Sequence, residues 1–124
     1  MLADSDAMAT VAVKNLAAAA EFYEGKLGLK KVNGAEMQVL IYNSGKSTLM
    51  VYESQFAGTN KATAVTWSVD DVDGTVRSLK EKEVAFEHYE FPNVKHEGDV
   101  HVFGEIRNAW FKDPDGNILS IVSS

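Results

Sequence analysis

The chain has 124 residues, 45% of them hydrophobic and 24% charged, a balance that bounds it to one domain or two fused half-modules and excludes a disordered tail. It has no cysteine, which excludes a disulfide framework, a thiolate zinc site and a cysteine nucleophile, and fits a cytoplasmic protein. Twelve Lys and Arg against 18 Asp and Glu leave a net charge of -6, which argues against nucleic acid as a partner, and no apolar run reaches the roughly 18 residues of a membrane span.

The acidic start, Met1-Leu2-Ala3-Asp4-Ser5-Asp6, is not that expected of a secretory signal. Val11 to Val13 alternate as a short strand, and Asn15 stands where a helix cap accepts from the first free N–H groups. The helix that follows carries Leu16, Ala20, Tyr23 and Leu27 on one face and stops at Gly28. Two strand-like runs come next, Met37 to Tyr42 and Thr48 to Glu53, joined by the turn-rich Asn43-Ser44-Gly45-Lys46. Gly45-Lys46-Ser47 echoes the end of a phosphate-binding loop, but position 40 is Leu40 rather than glycine and a strand follows rather than a helix, so it reads as a hairpin turn.

The pattern then repeats. Val65, Trp67 and Val69 alternate, Asp71 takes the cap position, and Val72, Val76 and Leu79 form the helical stripe, so that Val13, Asn15 and Leu16 find counterparts in Val69, Asp71 and Val72. Val84 to Phe91 reads as a strand, and Ile106 to Lys112 and Ile118 to Val122 as a hairpin around Asp113-Pro114-Asp115-Gly116-Asn117. That turn has the opening spacing of an EF-hand loop, yet Ile118 and Ser124 stand where glycine and glutamate are required. The second half exceeds the first by 14 residues, which places an insertion loop at 92–105. The expected fold is α+β: two tandem βαβββ modules, 7–60 and 61–124, forming an open, curved, mixed sheet with helices on its outer face. The inner face of such a trough is a natural small-molecule site.

Val13-Lys14-Asn15-Leu16, Glu21-Phe22-Tyr23 with Leu27-Gly28-Leu29, Val69-Asp70-Asp71-Val72 and Trp110 to Leu119 occur in an order and spacing that resemble the vicinal oxygen chelate superfamily, which includes glyoxalase I, extradiol dioxygenases, and fosfomycin and bleomycin resistance proteins. Its metal-dependent members hold a divalent ion with His or Glu on four strands. Mapped through the motifs, those positions are Met8, Met50, Ala64 and Ser120, which supply no hard donor set. The resemblance therefore implies the metal-free, bleomycin-resistance-like branch: no cofactor, no catalysis, and a cleft that sequesters an organic ligand, cationic ones included, in a homodimer.

Strand parity then assigns the wall. Met8, Thr10, Thr48, Met50, Tyr52, Thr66, Ser68 and Ser120 line it, together with Trp110 and Phe111, which point to opposite faces and cannot both do so. Two other readings follow. One is a glyoxalase- or dioxygenase-type enzyme with relocated ligands drawn from His88, His96, His101, Glu53 and Glu105, of which His96, His101 and Glu105 in the acidic insertion are the specific metal alternative. The other is a non-enzymatic interaction module whose trough packs against a protein.

Overall fold

A computed structural model describes residues 1–32 and 39–123. Strand β1 (Ala9–Val13) runs into a helical segment, α1 (Leu16–Ala20), whose cap is Asn15: its side chain accepts from the Ala18 N–H at 2.9 Å. The segment continues as a π-helical turn, Glu21–Lys26, in which the Leu27 N–H reaches back to the Phe22 carbonyl. Ala19, Phe22 and Tyr23 are buried, and Leu16 and Leu27 of the expected stripe pack half-buried against the same core. Strands β2 (Lys30–Lys31), β3 (Val39–Ser44) and β4 (Ser47–Glu53) complete a four-stranded sheet ordered β1-β4-β3-β2, with β1 and β4 parallel. No apolar alternation marks Lys30–Lys31, and Met37 and Gln38 of the expected strand lie outside the described residues.

The second half opens in the same way. Strand β5 (Thr63–Ser68) leads to α2 (Val72–Glu81), capped by Asp71, which accepts from the Gly74 N–H at 2.9 Å. Strands β9 (Ile106–Lys112) and β10 (Ile118–Ser123) form the expected hairpin, and β10 runs parallel to β5. Thr10 pairs with Met50 in one sheet as Thr66 pairs with Ser120 in the other, so the register reproduces the repeat. One core serves both sheets: Val11, Val13, Leu49, Val51, Leu119 and Ile121 are buried together with Val72, Val76 and Leu79 of α2. Phe22 meets Phe111 across the two halves, at 6.4 Å between ring centres.

The halves are also joined by the turn 113–117. Asp113 is 5% exposed, and its carboxylate accepts from the Asp115 and Asn117 N–H groups at 3.0 and 2.9 Å, from the Asn117 side-chain amide at 2.8 Å and from the Tyr23 hydroxyl at 2.7 Å. The same Asn117 amide donates to the Ala12 carbonyl at 2.7 Å. Four donors compensate the desolvated carboxylate. Burial and the neighbouring Asp113 push the Tyr23 pKa up, so Tyr23 remains a hydrogen-bond donor.

The insertion is not a loop. Strands β7 (Lys95–Glu97) and β8 (Val100–Phe103) form a hairpin that extends the second sheet beyond β9. The expected strand from Val84 to Phe91 is correspondingly cut to β6 (Phe86–Glu87), which pairs with β9. The reason lies at Tyr89, whose backbone is held by side chains of the hairpin instead of a ladder. Its N–H donates to His101 Nε2 at 2.9 Å, and its carbonyl accepts from His96 Nε2 at 3.0 Å. Asp99, at the hairpin tip, binds Lys80 of α2 and His88, each at 2.7 Å. Arg107 on β9 grips Asp73 through two bonds of 2.9 Å and also reaches Glu97.

Two measurements test this description. Asp113→Ala strands two backbone N–H groups, an amide and a phenol, and is expected to cost about 3 kcal/mol in denaturant unfolding, against about 1–2 kcal/mol for Tyr23→Phe. No measurable cost for Tyr23→Phe would mean that the bond between Tyr23 and Asp113 does not hold the halves together. His101 is fully buried and accepts the Tyr89 N–H as a neutral ring; burial, then His96 and His88, push its pKa below the ordinary 6.5. In acid the unfolded chain therefore binds a proton that the folded ring resists. The stability held above pH 6.5 is lost as the pH falls from there to the lower folded-state value. The melting temperature should drop across that window, and His101→Gln, whose amide oxygen accepts without titrating, should flatten the drop. An identical slope in the variant would rule out His101 as its source.

Candidate functional site

The helices cover one face of each sheet, so parity assigns the other. In the first half Thr10, Met50 and Ile41 form a row across β1, β4 and β3. In the second, Thr66, Ser120 and Trp110 form the matching row across β5, β10 and β9, but Ser120 is buried and does not line an open wall as expected, its hydroxyl lying 2.8 Å from that of Thr66. Thr48 and Tyr52 flank Met50 on the same face of β4, and Ser68 pairs with Val122. Met8 precedes β1 and is exposed, whereas Ala64 falls where the β5–β10 register shifts by a residue. Phe111 does not belong to this wall. It is 1% exposed and packs among Phe22, Trp67 and Phe86 on the helix side, because its strand neighbour Trp110 takes the open face.

Trp110 is the centre of an aromatic cluster. Tyr89 and Phe91 lie 5.4 and 5.7 Å from it between ring centres, and His101 lies 4.8 Å away, edge to face. The indole N–H donates to the Thr63 hydroxyl at 3.2 Å. These groups open a recess of about 230 Å³ walled by Thr63, Tyr89, Phe91, Trp110, Ile118 and Lys61. Of the residues expected from sequence, only Trp110 lines it. Tyr89 and Phe91 follow by parity only once the pairing is seen: Glu87 pairs with Trp110 and Phe86 with Phe111, and continuing that alternation puts 89 and 91 on the Trp110 side. Lys61 and Ala62 precede β5 and carried no periodic signal.

The backbone hydrogen bonds from His101 and His96 fix the Tyr89 wall. The Tyr89 hydroxyl is buried without a partner, as are His101 Nδ1 and Asn108 Oδ1. Burial, then the charge of Glu87, raises the Tyr89 pKa against the opposing pull of Lys112, so its phenol is protonated at neutral pH. A recess of this kind can stack a planar molecule.

The positions onto which the resemblance maps the superfamily's metal ligands do not fit a metal. Met8, Met50, Ala64 and Ser120 offer two thioethers, a methyl group and a hydroxyl already bonded to Thr66. Among the described residues no three His, Asp or Glu side chains converge as ligands. His96 and His101 are close, at 4.5 Å between ring centres, but both Nε2 atoms are engaged by the Tyr89 backbone. Glu105 sits in the turn between β8 and β9, exposed, and forms no ion pair among the described residues. Among the described residues no helix is long and apolar enough to cross a membrane.

Solved structures share this fold. The chain aligns with lactoylglutathione lyase from Agrobacterium tumefaciens at 19% identity and a TM-score of 0.70, over 98% of this chain and 94% of that one. It aligns with the fosfomycin resistance protein FosX from Listeria monocytogenes at 14% identity and 0.72, over 98% and 93%. TnmS3, an antibiotic binding protein from a Streptomyces species, aligns at 20% identity and 0.65, over 94% and 92%. No curated protein matches the chain in sequence. The family model of the Glyoxalase/Bleomycin resistance protein/Dioxygenase superfamily matches residues 7–121, and the chain belongs to that superfamily.

Proposed function

We propose that the protein is a binding protein that holds a small planar organic molecule against Trp110, Tyr89 and Phe91 without a metal. The observation that carries this reading is the aromatic recess itself, whose Tyr89 wall is fixed by hydrogen bonds to its own backbone. A preorganised stacking surface stabilises a bound ring without the entropy of ordering mobile side chains. The donor-poor residues at the superfamily's metal positions support it further, as does the fold likeness to an antibiotic binding protein. The open residues Thr10, Thr48, Met50, Tyr52, Thr66 and Ser68 extend the proposed surface away from the recess. A homodimer and a cytoplasmic location belong to the same proposal.

A neutral probe, 2-naphthamide, is expected to quench tryptophan fluorescence and raise the melting temperature, and Trp110→Ala is expected to weaken its binding about tenfold. Undiminished binding to that variant, with the fold intact by circular dichroism, would place the ligand elsewhere. Dialysis against a chelator is expected to leave both the melting temperature and naphthamide binding unchanged. A stoichiometric divalent ion whose removal abolishes binding would favour the enzyme reading instead.

A further inference from the structure

A second hollow of about 420 Å³ shares Lys61, Tyr89 and Ile118 with the recess and adds Asn60, Lys112 and Gly116. Its volume lies within the about 300–1,000 Å³ typical of small-molecule sites, and the recess falls a little below that range. The charge of the joint lining is the unexpected feature. The chain carries a net charge of -6, yet neither hollow has a carboxylate in its lining, and two lysines stand there.

The two lysines are not equivalent. Lys112 Nζ lies 3.5 Å from Glu87, the carboxylate that pairs across the strands with Trp110, so that charge is largely met. Lys61 has no ion-pair partner among the described residues. A lysine beside an aromatic wall, in a protein whose other charges repel anions, is a local reversal of the field that selects ligands by sign. The Tyr89 hydroxyl is buried without a partner and shut off from solvent, so the charge at Lys61 is what distinguishes one ligand from another here. Trp110 offers no free donor either, because its N–H is already given to Thr63.

Resting on the binding function proposed above, we infer that the ligand is a planar aromatic molecule bearing an anionic group, its ring on Trp110 and Phe91 and its anion at Lys61. This reverses the cationic preference that the overall charge balance suggests. The overall charge acts at long range and is screened within about 8–10 Å in ordinary salt, whereas Lys61 acts at contact.

The test compares three probes of one shape by isothermal titration: 2-naphthoate, neutral 2-naphthamide and 2-naphthylmethylammonium. Naphthoate is expected to bind at least fivefold more tightly than naphthamide, and the ammonium most weakly. In Lys61→Ala naphthoate should bind no better than naphthamide, Lys61→Arg should retain the advantage, and added salt should erode it. If naphthamide binds in a Trp110-dependent manner but naphthoate binds no better, or the ammonium binds best, the anionic preference is wrong and the binding function stands. If none of the three binds, both fall together. A naphthoate advantage that survives Lys61→Ala also overturns the assignment.

Discussion

The structure depends on one buried carboxylate. Asp113 sits at the end of β9, out of water, and four donors converge on it from three places: the backbone of its own turn, the Asn117 amide and the phenol of Tyr23 in the other half of the chain. Such a group is costly to desolvate and costly to leave unmet, so the halves are held at the geometry that satisfies it. Asn117 extends the junction to the carbonyl of Ala12 on β1, and the Gly58 backbone packs on the outside of the turn against Asp115. With a positive φ of 74° and no side chain, Gly58 permits that approach. The tilted contact of Phe22 with Phe111 then needs only apolar packing to close the core.

On this frame the two halves have diverged in what they present on the open face. Corresponding rows read Thr10, Met50 and Ile41 in one sheet and Thr66, Ser120 and Trp110 in the other. The first offers one hydroxyl, a thioether and a branched aliphatic chain; the second offers an indole and a hydroxyl pair, of which Ser120 is buried beneath Thr66. Neither supplies the oxygen and imidazole donors that a divalent ion requires. What the second half has gained instead is the hairpin β7–β8. Its two histidines take both backbone groups of Tyr89, a residue that would otherwise continue β6 along β9. The insertion thus converts the end of an edge strand into the wall of a recess.

Much of the fold was legible in the chain. Asn15 and Asp71 cap helices as their side chains dictate, the alternation at Val11–Val13 and Val65–Val69 is that of strands with one face in the core, and the 56-residue spacing between them carried the repeat into the observed register. Less was legible where no period applies. Two lysines form β2 only because β3 offers them a ladder, and no residue spacing announces the π turn that ends the first helix. The recess was legible only at Trp110. Tyr89 and Phe91 followed by parity from Phe86, but only once the pairing of Glu87 with Trp110 was known.

The sequence by itself determined the class of fold, the duplication, the caps and the donor-poor identity of the residues at the metal positions, because each of these is written in local spacing and side-chain chemistry. Tertiary structure decided which of two adjacent aromatics faces outward, that a run of aspartate, proline, glycine and asparagine joins the halves as well as turning the chain, and that an acidic protein presents a lysine beside its aromatic recess. The reason is the same in each case. Register, long-range hydrogen bonds and the local sign of the electrostatic field are properties of residues far apart in the chain, as Tyr23 is from Asp113 and Lys61 from Trp110, and no local pattern records them.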